Sequence, residues 1–305
     1  MQITLLGSVG HINHFLIPML VNAGHHLTVV THSAKRVPEI EQLGATAAIG
    51  SMSDVNFLTT VFTGANAIYL MLSGSSTDPQ VAAQQQGQIF YQAAKAAGVP
   101  NIVDLSSVGA NLDYQATGAL SFYHFIEAAL RQLTDVNIAF VRPVGFYANL
   151  LADIPTIKTQ HKLFSTTPAT INRMWVAPQD IATKVTNLLQ ATPHGHSVHY
   201  VVSDNRTGQE LLTALQTALA LPDLKYVTIS DAKWQANLVT HGVPASTAEA
   251  LMLMNRAQRH PEKIYADLYA HQPTYGQVKL PDFMQQFAAV YRGDTDEHAQ
   301  TLAER

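Results

Sequence analysis

Up to about residue 145, short apolar runs alternate with longer segments whose apolar residues recur at helical spacing. The short runs predict strands and the longer segments predict helices, because the two structures differ in their hydrophobic period. Strands are predicted at 3–6, 27–31, 46–49, 67–71, 102–105 and 138–141. Helices are predicted at 11–23, 37–43, 55–60, 79–97 and 121–133. This alternation indicates βαβ units and a parallel sheet with helices on both faces.

Glycines mark several of the predicted joints between helix and strand. Gly24, Gly44 and Gly98 each stand shortly before a predicted strand, where a helix should stop. The predicted fold class is therefore α/β, a doubly wound parallel sheet of the Rossmann type.

Beyond residue 145 the regular alternation weakens. Strands are predicted at 198–202 and 226–229, and helices at 208–220, 232–240, 246–258 and 281–291. We therefore expect a dinucleotide-binding core in residues 1–150, to which later segments return, and a smaller α/β lobe in 151–291 that contacts a substrate or partner. Residues 292–305 form a polar tail.

Composition narrows the class of protein. The chain has 305 residues, a formal charge of −4 and only 13% charged residues, which fits neither disorder nor a nucleic-acid footprint. It contains no cysteine, which removes disulfides and thiolate chemistry and fits a reducing cytosol. The apolar runs last only a few residues, whereas a spanning helix needs about 20. We expect a cytoplasmic protein that binds neither nucleic acid directly nor a membrane.

The first predicted turn is a candidate phosphate site. Gly7 and Gly10 follow the first strand, where glycine allows a tight turn and close approach of the backbone to a pyrophosphate at the helix N-terminus. A third glycine normally follows at the position of Asn13 and permits close packing of helix on strand. Either the helix stands slightly off the strand, or the Asn13 amide is used locally.

The residues after the second strand bear on the choice of cofactor. An NAD site usually has an acidic residue here, whereas an NADP site has cations. This chain has His32, Lys35 and Arg36, and no carboxylate before Glu39. NADP is therefore the predicted cofactor and NAD the alternative. Lys35 and Arg36 have a second interpretation, as the solvated first turn of a helix.

A series of short motifs extends from residue 2 to roughly residue 291. They are Gly7-Ser-Val-Gly10, Phe57-Leu58, the segment from Gly64 to Ile68, the segment from Ala93 to Val99, the segment from Asp104 to Gly109, Glu127-x-x-Leu130, Arg142-Pro143-x-x-Phe146-x-x-Asn149, Asp180-Ile181-Ala182 and the segment from Tyr275 to Leu280. In this order and at these spacings, the chain resembles the NmrA-like group of atypical short-chain dehydrogenase/reductase proteins.

The resemblance implies an extended Rossmann core that binds NADP or NAD, with a smaller lobe that closes over the nicotinamide. Members are reductases of small, largely apolar acceptors such as quinones, aryl ethers and dyes, or regulators that bind the dinucleotide without turnover. By this resemblance, the cofactor-binding residues are Gly7, Ser8, Val9, Gly10, His11 and Ile12 at the pyrophosphate, His32, Lys35 and Arg36 at the adenosine ribose, Met71, Leu72 and Ser73 at the sugars, and Ser106, Ser107, Pro143, Val144 and Phe146 at the nicotinamide.

The catalytic Tyr-x-x-x-Lys of ordinary short-chain reductases is not at its usual place. Two copies occur, at Tyr91 and Lys95 and at Tyr275 and Lys279, but the first comes one helix too early and the second lies in the C-terminal lobe. We interpret neither as catalytic.

NmrA-like reductases usually carry a lysine four residues before the glutamate that corresponds to Glu127. Here that position is Tyr123, followed by His124. Either side chain can serve as a proton donor, so these two are the candidate catalytic residues. The alternative is that Tyr123 packs the helix against the sheet together with Phe122 and Phe125.

Other chemistries find little support in the sequence. Ser107 lacks the Gly-x-Ser-x-Gly elbow of a nucleophile. His11 and His14, and likewise His194, His196 and His199, have no carboxylate or cysteine at ligand spacing, so no metal site is predicted.

Two functional hypotheses follow, one enzymatic and one regulatory. The first is an NADP-dependent oxidoreductase that passes hydride to a small apolar acceptor such as a quinone. The second is a non-catalytic NADP(H) redox sensor or transcriptional regulator that acts through a protein partner. A nucleotide-sugar epimerase on the same fold is disfavoured, because that chemistry needs the tyrosine and lysine pair. The oligomeric state stays open.

Overall fold

The structure is a computed structural model and describes residues 1–72, 78–273 and 275–294. Its strands are β1 (Gln2–Leu5), β2 (His26–Thr31), β3 (Thr46–Ile49), β4 (Ala67–Met71), β5 (Asn101–Leu105), β6 (Asn137–Pro143), β7 (Gly145–Phe146), β8 (Lys162–Ser165), β9 (Asn172–Val176), β10 (His196–Val201), β11 (Asp204–Thr207) and β12 (Lys225–Thr228).

The α-helices are α1 (Asn13–Asn22), α2 (Val37–Gln42), α3 (Val55–Phe62), α4 (Pro79–Ala97), α5 (Tyr114–Thr117), α6 (Tyr123–Leu130), α7 (Ile154–Gln160), α8 (Pro178–Gln190), α9 (Gly208–Leu219), α10 (Asp231–Thr240), α11 (Ala245–Ala257), α12 (Pro261–Ile264), α13 (Ala266–Ala270) and α14 (Leu280–Arg292). Short 3-10 helices occupy Ala34–Arg36, Gly118–Phe122 and Tyr147–Asp153. Among the described residues, no helix is both long enough and apolar enough to cross a membrane.

The large sheet has the strand order β10-β6-β5-β4-β1-β2-β3. Strand β1 lies between β2 and β4, and Ile3 aligns with Leu27 on one side and with Ala67 on the other. The pairings from β3 through to β6 are parallel. The strand order reverses beside β1, so the predicted doubly wound Rossmann sheet is confirmed. The carboxyl ends of these strands, which carry Gly7 and Ser106, meet at one edge of the sheet.

Local sequence explains where the helices of this sheet begin. The Asp54 carboxylate caps α3 by accepting from the backbone N–H groups of Asn56 and Phe57, and Asp78 caps α4 ahead of Pro79. Helix α1 begins at Asn13, which is later than the predicted start at His11. The backbone N–H of Phe15 bonds to the carbonyl of Ile12, so the chain makes a tight turn before the regular helix.

The chain divides into two compact units. The first comprises Met1–Leu112, Leu120–Pro143 and Ile181–Tyr200 and contains the large sheet. Its largest fully buried side chains include Tyr69, Phe62 and Phe140. The apolar runs that predicted the strands thus form the interior of this unit, since strands covered on both faces are apolar throughout.

The second unit comprises Asp113–Ala119, Val144–Asp180 and the described residues from 201 onward. It carries a three-stranded sheet of order β11-β9-β7 and a two-stranded sheet of β12 and β8. Tyr147 stacks between Trp175 and Phe283, with ring centroids 5.6 and 5.0 Å apart. The predicted smaller α/β part, rich in helix, is therefore confirmed.

Several elements of the second unit were absent from the sequence-based prediction. Strands β7, β8, β9 and β11 have five residues or fewer, and they include Lys162, Arg173 and Arg206, which interrupt the apolar pattern. Helix α8, most of which belongs to the first unit, was also not predicted, although Ile181, Val185 and Leu188 recur at helical spacing and are buried.

Candidate functional site

The turn after β1 is held in a left-handed conformation. Gly7 has φ +98° and Ser8 has φ +52°, a region that residues other than glycine seldom adopt. The Ser8 backbone N–H donates to the carbonyl of Val30 at 3.0 Å, and the Ser8 hydroxyl donates to Thr31 Oγ1 at 3.0 Å. These bonds to β2 keep the turn in its unusual conformation. Thr31 was not among the predicted site residues; the only indication is that it is the polar residue ending an apolar strand.

The Asn13 side chain also holds the turn after β1 in place. Its side chain is 2% exposed, and its amide Nδ2 donates to the carbonyls of Leu6 at 2.8 Å and Ser8 at 2.7 Å. Two interpretations were given for asparagine at the position of the third glycine. The structure shows the second, in which the side-chain amide of Asn13 is used locally. The Asn13 Oδ1 atom is buried without a hydrogen-bond partner in the described part of the chain.

The two glycines of the turn have different surroundings. A Cβ on Gly7 would lie 2.2 Å from Sδ of Met71, so packing within the protein already requires glycine there. A Cβ on Gly10 would meet only the carbonyl oxygen of Gly7, at 3.4 Å. The space in front of Gly10 is thus open, and it adjoins the start of α1, where the N–H groups of His14, Phe15 and Leu16 already bond to the carbonyls of Gly10 and Ile12. An anion such as a pyrophosphate fits this cradle.

The basic residues predicted to bind the adenosine ribose follow β2 and differ in their surroundings. His32 and Lys35 are exposed, and Lys35 belongs to the short helix Ala34–Arg36. Arg36 forms an ion pair with Glu39, with Nη1 and Oε2 2.5 Å apart. Arg36 must therefore share or leave this carboxylate before it binds a phosphate, whereas Lys35 makes no ion pair among the described residues.

Further predicted cofactor contacts lie at the ends of β4 and β5, and they are buried to different degrees. Met71 and Leu72 are partly buried after β4, and Ser73 lies outside the described residues. Ser106 and Ser107 are buried after β5. The Ser106 hydroxyl donates its proton to Glu127 Oε1 at 2.6 Å, so towards a cofactor it can only accept hydrogen bonds.

Glu127 is the centre of a buried charge network. Arg142 binds it through two bonds, Nε to Oε1 at 2.8 Å and Nη2 to Oε2 at 2.7 Å, and also donates to the Tyr200 hydroxyl at 3.1 Å. Arg131 adds a longer bond of 3.2 Å to Oε2. Burial alone would raise the pKa of Glu127, but the hydrogen bonds and charge of Arg142 hold it below its ordinary value. Glu127 therefore positions β5, α6 and β6 and is not a free acid.

A second buried group surrounds Asp104 in β5. Asp104 is fully buried, and neither its carboxylate oxygens nor the hydroxyl of buried Tyr69 has a partner within the described residues. Burial, followed by the nearby charge of Glu127, raises the pKa of Asp104 well above its ordinary value. Burial and the charge of Asp104 raise the pKa of Tyr123 to about 12.

This environment bears on the two candidate proton donors. At a pKa of about 12, the phenol of partly buried Tyr123 stays protonated, yet it is a weaker acid than an ordinary tyrosine. His124 is exposed on α6, and its ring lies edge-on to Phe125. A catalytic role for either side chain stays a prediction.

The remaining predicted cofactor contacts come from the end of β6 and the residues after it. Pro143 accepts a backbone bond from Val108 at 3.0 Å within the first unit. Val144 and Phe146 belong to the second unit, where Val144 is 3% exposed and its N–H donates to the carbonyl of Val201. Of the predicted contacts, the structure brings Gly7, Ser8 and Met71 together around one turn.

Both Tyr-x-x-x-Lys pairs are engaged locally. Lys95 donates to the Tyr91 hydroxyl at 2.9 Å on helix α4, and its side chain is exposed. Lys279 donates to the carbonyls of Ser203 and Gly276, each at 2.7 Å. Neither lysine lies on α6, where the sequence of a short-chain reductase would need it.

The motif at Asp180 has a structural explanation. Its carboxylate accepts from the Ser203 hydroxyl and from the backbone N–H groups of Gln277 at 3.0 Å and Val278 at 3.1 Å. A Cβ on Gly276 would lie 2.3 Å from Asp180 Cγ. Asp180 thus holds the loop before α14, which connects two of the family-like motifs.

Histidines do not assemble into a metal centre in the portion of the chain that is described, where no group of three or more His, Asp or Glu is suited to an ion. His196 Nε2 donates to the carbonyl of Leu133 at 3.1 Å, and His199 Nε2 bonds to the Ser197 hydroxyl at 2.9 Å.

The sequence and the fold of the chain are similar to those of known proteins. The sequence profile of the NmrA-like family matches residues 1–269. A NAD(P)H azoreductase of Xenophilus azovorans is 23% identical over 255 residues, which make up 82% of this chain and 85% of that protein.

Solved structures share the fold at low identity. A Citrobacter sp. triphenylmethane reductase complexed with NADP(H) superposes with a TM-score of 0.75 at 17% identity, over 93% of this chain and 99% of that one. An Escherichia coli NADPH-dependent quinone oxidoreductase complexed with NADPH gives 0.75 at 19% identity, over 92% and 98%. A Staphylococcus aureus nucleoside-diphosphate-sugar epimerase gives 0.75 at 16% identity, over 93% and 100%.

Proposed function

The chain belongs to the NmrA-like family, and from this premise we propose that it is an NADP-dependent oxidoreductase that passes hydride from NADPH to a small apolar acceptor such as a quinone. The observation that carries the proposal is the cradle around Gly10, which is open to an anion and adjoins the start of α1. The exposed cation Lys35 after β2 supports NADP over NAD, since no carboxylate precedes Glu39 there.

The proposal gives each part of the site one task. Residues from Gly7 to Ile12 surround the pyrophosphate, although the backbone N–H of Ser8 is already bonded to the carbonyl of Val30. Lys35 binds the 2′-phosphate together with His32 and with Arg36 once Arg36 turns from Glu39. Met71 and Leu72 border the sugars. Ser106, Ser107 and Pro143 border the nicotinamide, which supplies the hydride when bound.

The proton demands of the reaction fit a site without the usual catalytic lysine. Reduction of a quinone places negative charge on an oxygen that is itself readily protonated, so a weak donor is sufficient. Tyr123 stays protonated near neutrality, because its pKa is raised to about 12, and so it can donate a hydrogen bond to that oxygen. His124 is the second candidate donor, and a small apolar molecule is the proposed partner.

Turnover and binding are tested separately. We expect NADPH absorbance to fall when the protein is mixed with one or more of a panel of quinones and azo dyes, and NADH to be used less well. Isothermal titration with NADP, NADPH, NAD and NADH should give the tightest binding for the phosphorylated pair. No binding of any nucleotide would remove the proposal, and binding without turnover of any acceptor would favour the alternative.

That alternative is a non-catalytic NADP(H) redox sensor or transcriptional regulator that acts on a protein partner. It is favoured by the tyrosine at position 123, where family reductases carry lysine, since a raised pKa makes this phenol a weak acid. A sensor must bind the oxidised and reduced cofactors with different affinity, because a ligand shifts a conformational equilibrium only through differential binding. Equal affinities for NADP and NADPH would exclude it.

A further inference from the structure

Arg173 in β9 of the second unit lacks the partner that every other described arginine has. Its side chain is partly buried, and its Nε atom is buried without a hydrogen-bond partner in the described part of the chain. The remaining arginines of that part each form an ion pair with a carboxylate: Arg36, Arg131, Arg142, Arg206, Arg256, Arg259 and Arg292. A buried cation without a partner is energetically unfavourable, so Arg173 is a candidate binding site for an anion.

The surroundings of Arg173 orient its guanidinium without neutralising it. The guanidinium carbon lies 4.6 Å from the centroid of the Trp175 ring, a cation–π contact. Trp175 stacks on Tyr147 with an interplanar angle of 2°. The arginine therefore rests on a rigid aromatic stack and keeps donors for another group, because the guanidinium has five N–H donors in a planar fork.

Tyr265 brings a further donor to this place. Its hydroxyl accepts a hydrogen bond from the backbone N–H of Met174 at 3.2 Å, so its own proton stays available for donation. Tyr226 also lies near Arg173, but its hydroxyl donates to the carbonyl of Thr167 at 2.7 Å. The guanidinium and the Tyr265 hydroxyl are thus the donors that remain, between aromatic rings.

The acidic neighbour of Arg173 is Asp153, at the end of the short helix Tyr147–Asp153. Its charge acts on Arg173, yet the two side chains form no ion pair. Burial raises the pKa of Asp153 to about 7, even though Arg173 opposes this shift. Near neutrality Asp153 therefore loses its charge, and it then becomes a hydrogen-bond donor instead of a competitor for the guanidinium.

We propose that Arg173 and Tyr265 form a binding site for an organic monocarboxylate with a small apolar body, such as an aromatic carboxylate. The planar fork of arginine matches the two oxygens of a carboxylate, and the rings of Trp175, Tyr226 and Tyr265 suit an apolar body. All these residues belong to the second unit, whereas the glycine turn after β1 belongs to the first.

The site is tested by isothermal titration of the full chain with sodium benzoate at constant ionic strength, with sodium chloride as the reference. We expect saturable binding of one benzoate that chloride does not reproduce. Arg173→Gln should weaken it by about ten- to a hundredfold, the value of a charge-assisted hydrogen bond. Arg173→Lys should weaken it less, since the charge stays while the planar fork is lost. Absence of saturable binding, or equal binding by Arg173→Gln, would overturn the proposal.

Arg206 provides a matched control, because it stands opposite Arg173 in the register of β9 and β11 but is already paired with Asp204 and Glu210. Arg206→Gln should leave the affinity for benzoate unchanged, and an equal loss in this variant would reduce the effect to general charge. The chain has only two tryptophans, so in Trp234→Phe the emission of Trp175 reports occupancy directly.

The pH dependence supplies a readout that a purely structural arginine would not show. Among the described residues, the titratable or charged groups near Arg173 are Asp153, Tyr226 and Tyr265, together with Arg206 opposite it on β11. Affinity for benzoate should fall as pH rises through about 7, where Asp153 gains its charge. Asp153→Asn should abolish this fall and tighten binding above neutrality. An unchanged pH profile in this variant would contradict the assigned role of Asp153.

Discussion

Arg142 donates hydrogen bonds to both carboxylate oxygens of Glu127 inside the core of the first unit. Nε lies 2.8 Å from Oε1, and Nη2 lies 2.7 Å from Oε2. Both side chains are nearly inaccessible, with 7% and 4% exposure. Strand β6 and helix α6 are thereby joined by a bidentate ion pair, which has geometric specificity as well as energy.

We expect Arg142→Met to destabilise the protein by about 3–5 kcal/mol, because it leaves the Glu127 charge buried without its main partner. Urea denaturation measures the loss. Arg131→Gln is the matched control, since Arg131 binds the same carboxylate but is 41% exposed. That change should cost no more than about 1 kcal/mol. Similar losses of unfolding free energy in Arg142→Met and Arg131→Gln would show that burial of the ion pair does not determine its contribution to stability.

Asp104 should make the free energy of unfolding fall as pH rises. Its folded pKa is raised, first by burial and then by Glu127, so its stabilising contribution is complete below the unfolded pKa of about 3.9 and is lost as pH rises towards the folded pKa. Asp104→Asn should therefore gain stability relative to the parent above that value, by up to about 1.4 kcal/mol per pH unit. Denaturation curves at a series of pH values measure the difference.

Asp54→Asn serves as the control for Asp104. Asp54 is exposed and caps α3, and asparagine caps helices equally well. This variant should follow the parent with only a small offset across the same pH range. If Asp104→Asn also ran parallel to the parent, Asp104 would have an ordinary pKa in the folded protein.

Gly7 and Gly10 should respond to substitution in separable ways. Gly7→Ala places a side chain at φ +98° and against Met71, so it should lower the free energy of unfolding by more than about 1 kcal/mol. Gly10→Ala meets only the Gly7 carbonyl at 3.4 Å, so stability should change little. Because its methyl group would enter the cradle, affinity for NADPH should fall at least about tenfold.

Thermal unfolding and isothermal titration on the same two variants check this prediction. Unaltered NADPH affinity in Gly10→Ala would place the pyrophosphate elsewhere. A large loss of stability in that variant would show instead that the protein itself needs glycine at position 10.

The sheet was predictable because its strands are buried on both faces. Runs such as Ile102–Leu105 are then apolar almost throughout, and glycines such as Gly98 mark the helix ends. The second unit was less predictable, because its strands are short and one of them begins with Asn172 and Arg173. Tertiary pairing with β11 and not local pattern fixes that strand.

The candidate site was also predictable only in part. Features set by neighbouring residues were found from the sequence, and features set by tertiary contacts were not. The glycine turn lies within seven consecutive residues and was found from spacing, whereas the partners of its residues are remote in sequence. Thr31 reaches Ser8 across 23 positions, and Arg142 reaches Glu127 across 15. The motifs containing Glu127 and Arg142 were recognised, but only the fold shows that the two residues bind each other.

The proposed preference for NADP over NAD rests on the basic residues after β2. Lys35 is exposed and forms no ion pair within the described residues, so Lys35→Gln should weaken NADPH binding about tenfold and leave NADH binding unchanged, because only NADPH carries the 2′-phosphate. Arg36 is held by Glu39, so Glu39→Gln should release it and tighten NADPH binding. Lys95→Gln, at an exposed position of α4, is the control and should alter neither affinity. Isothermal titration measures all three variants, and an equal effect on NADH and NADPH would place the 2′-phosphate away from Lys35.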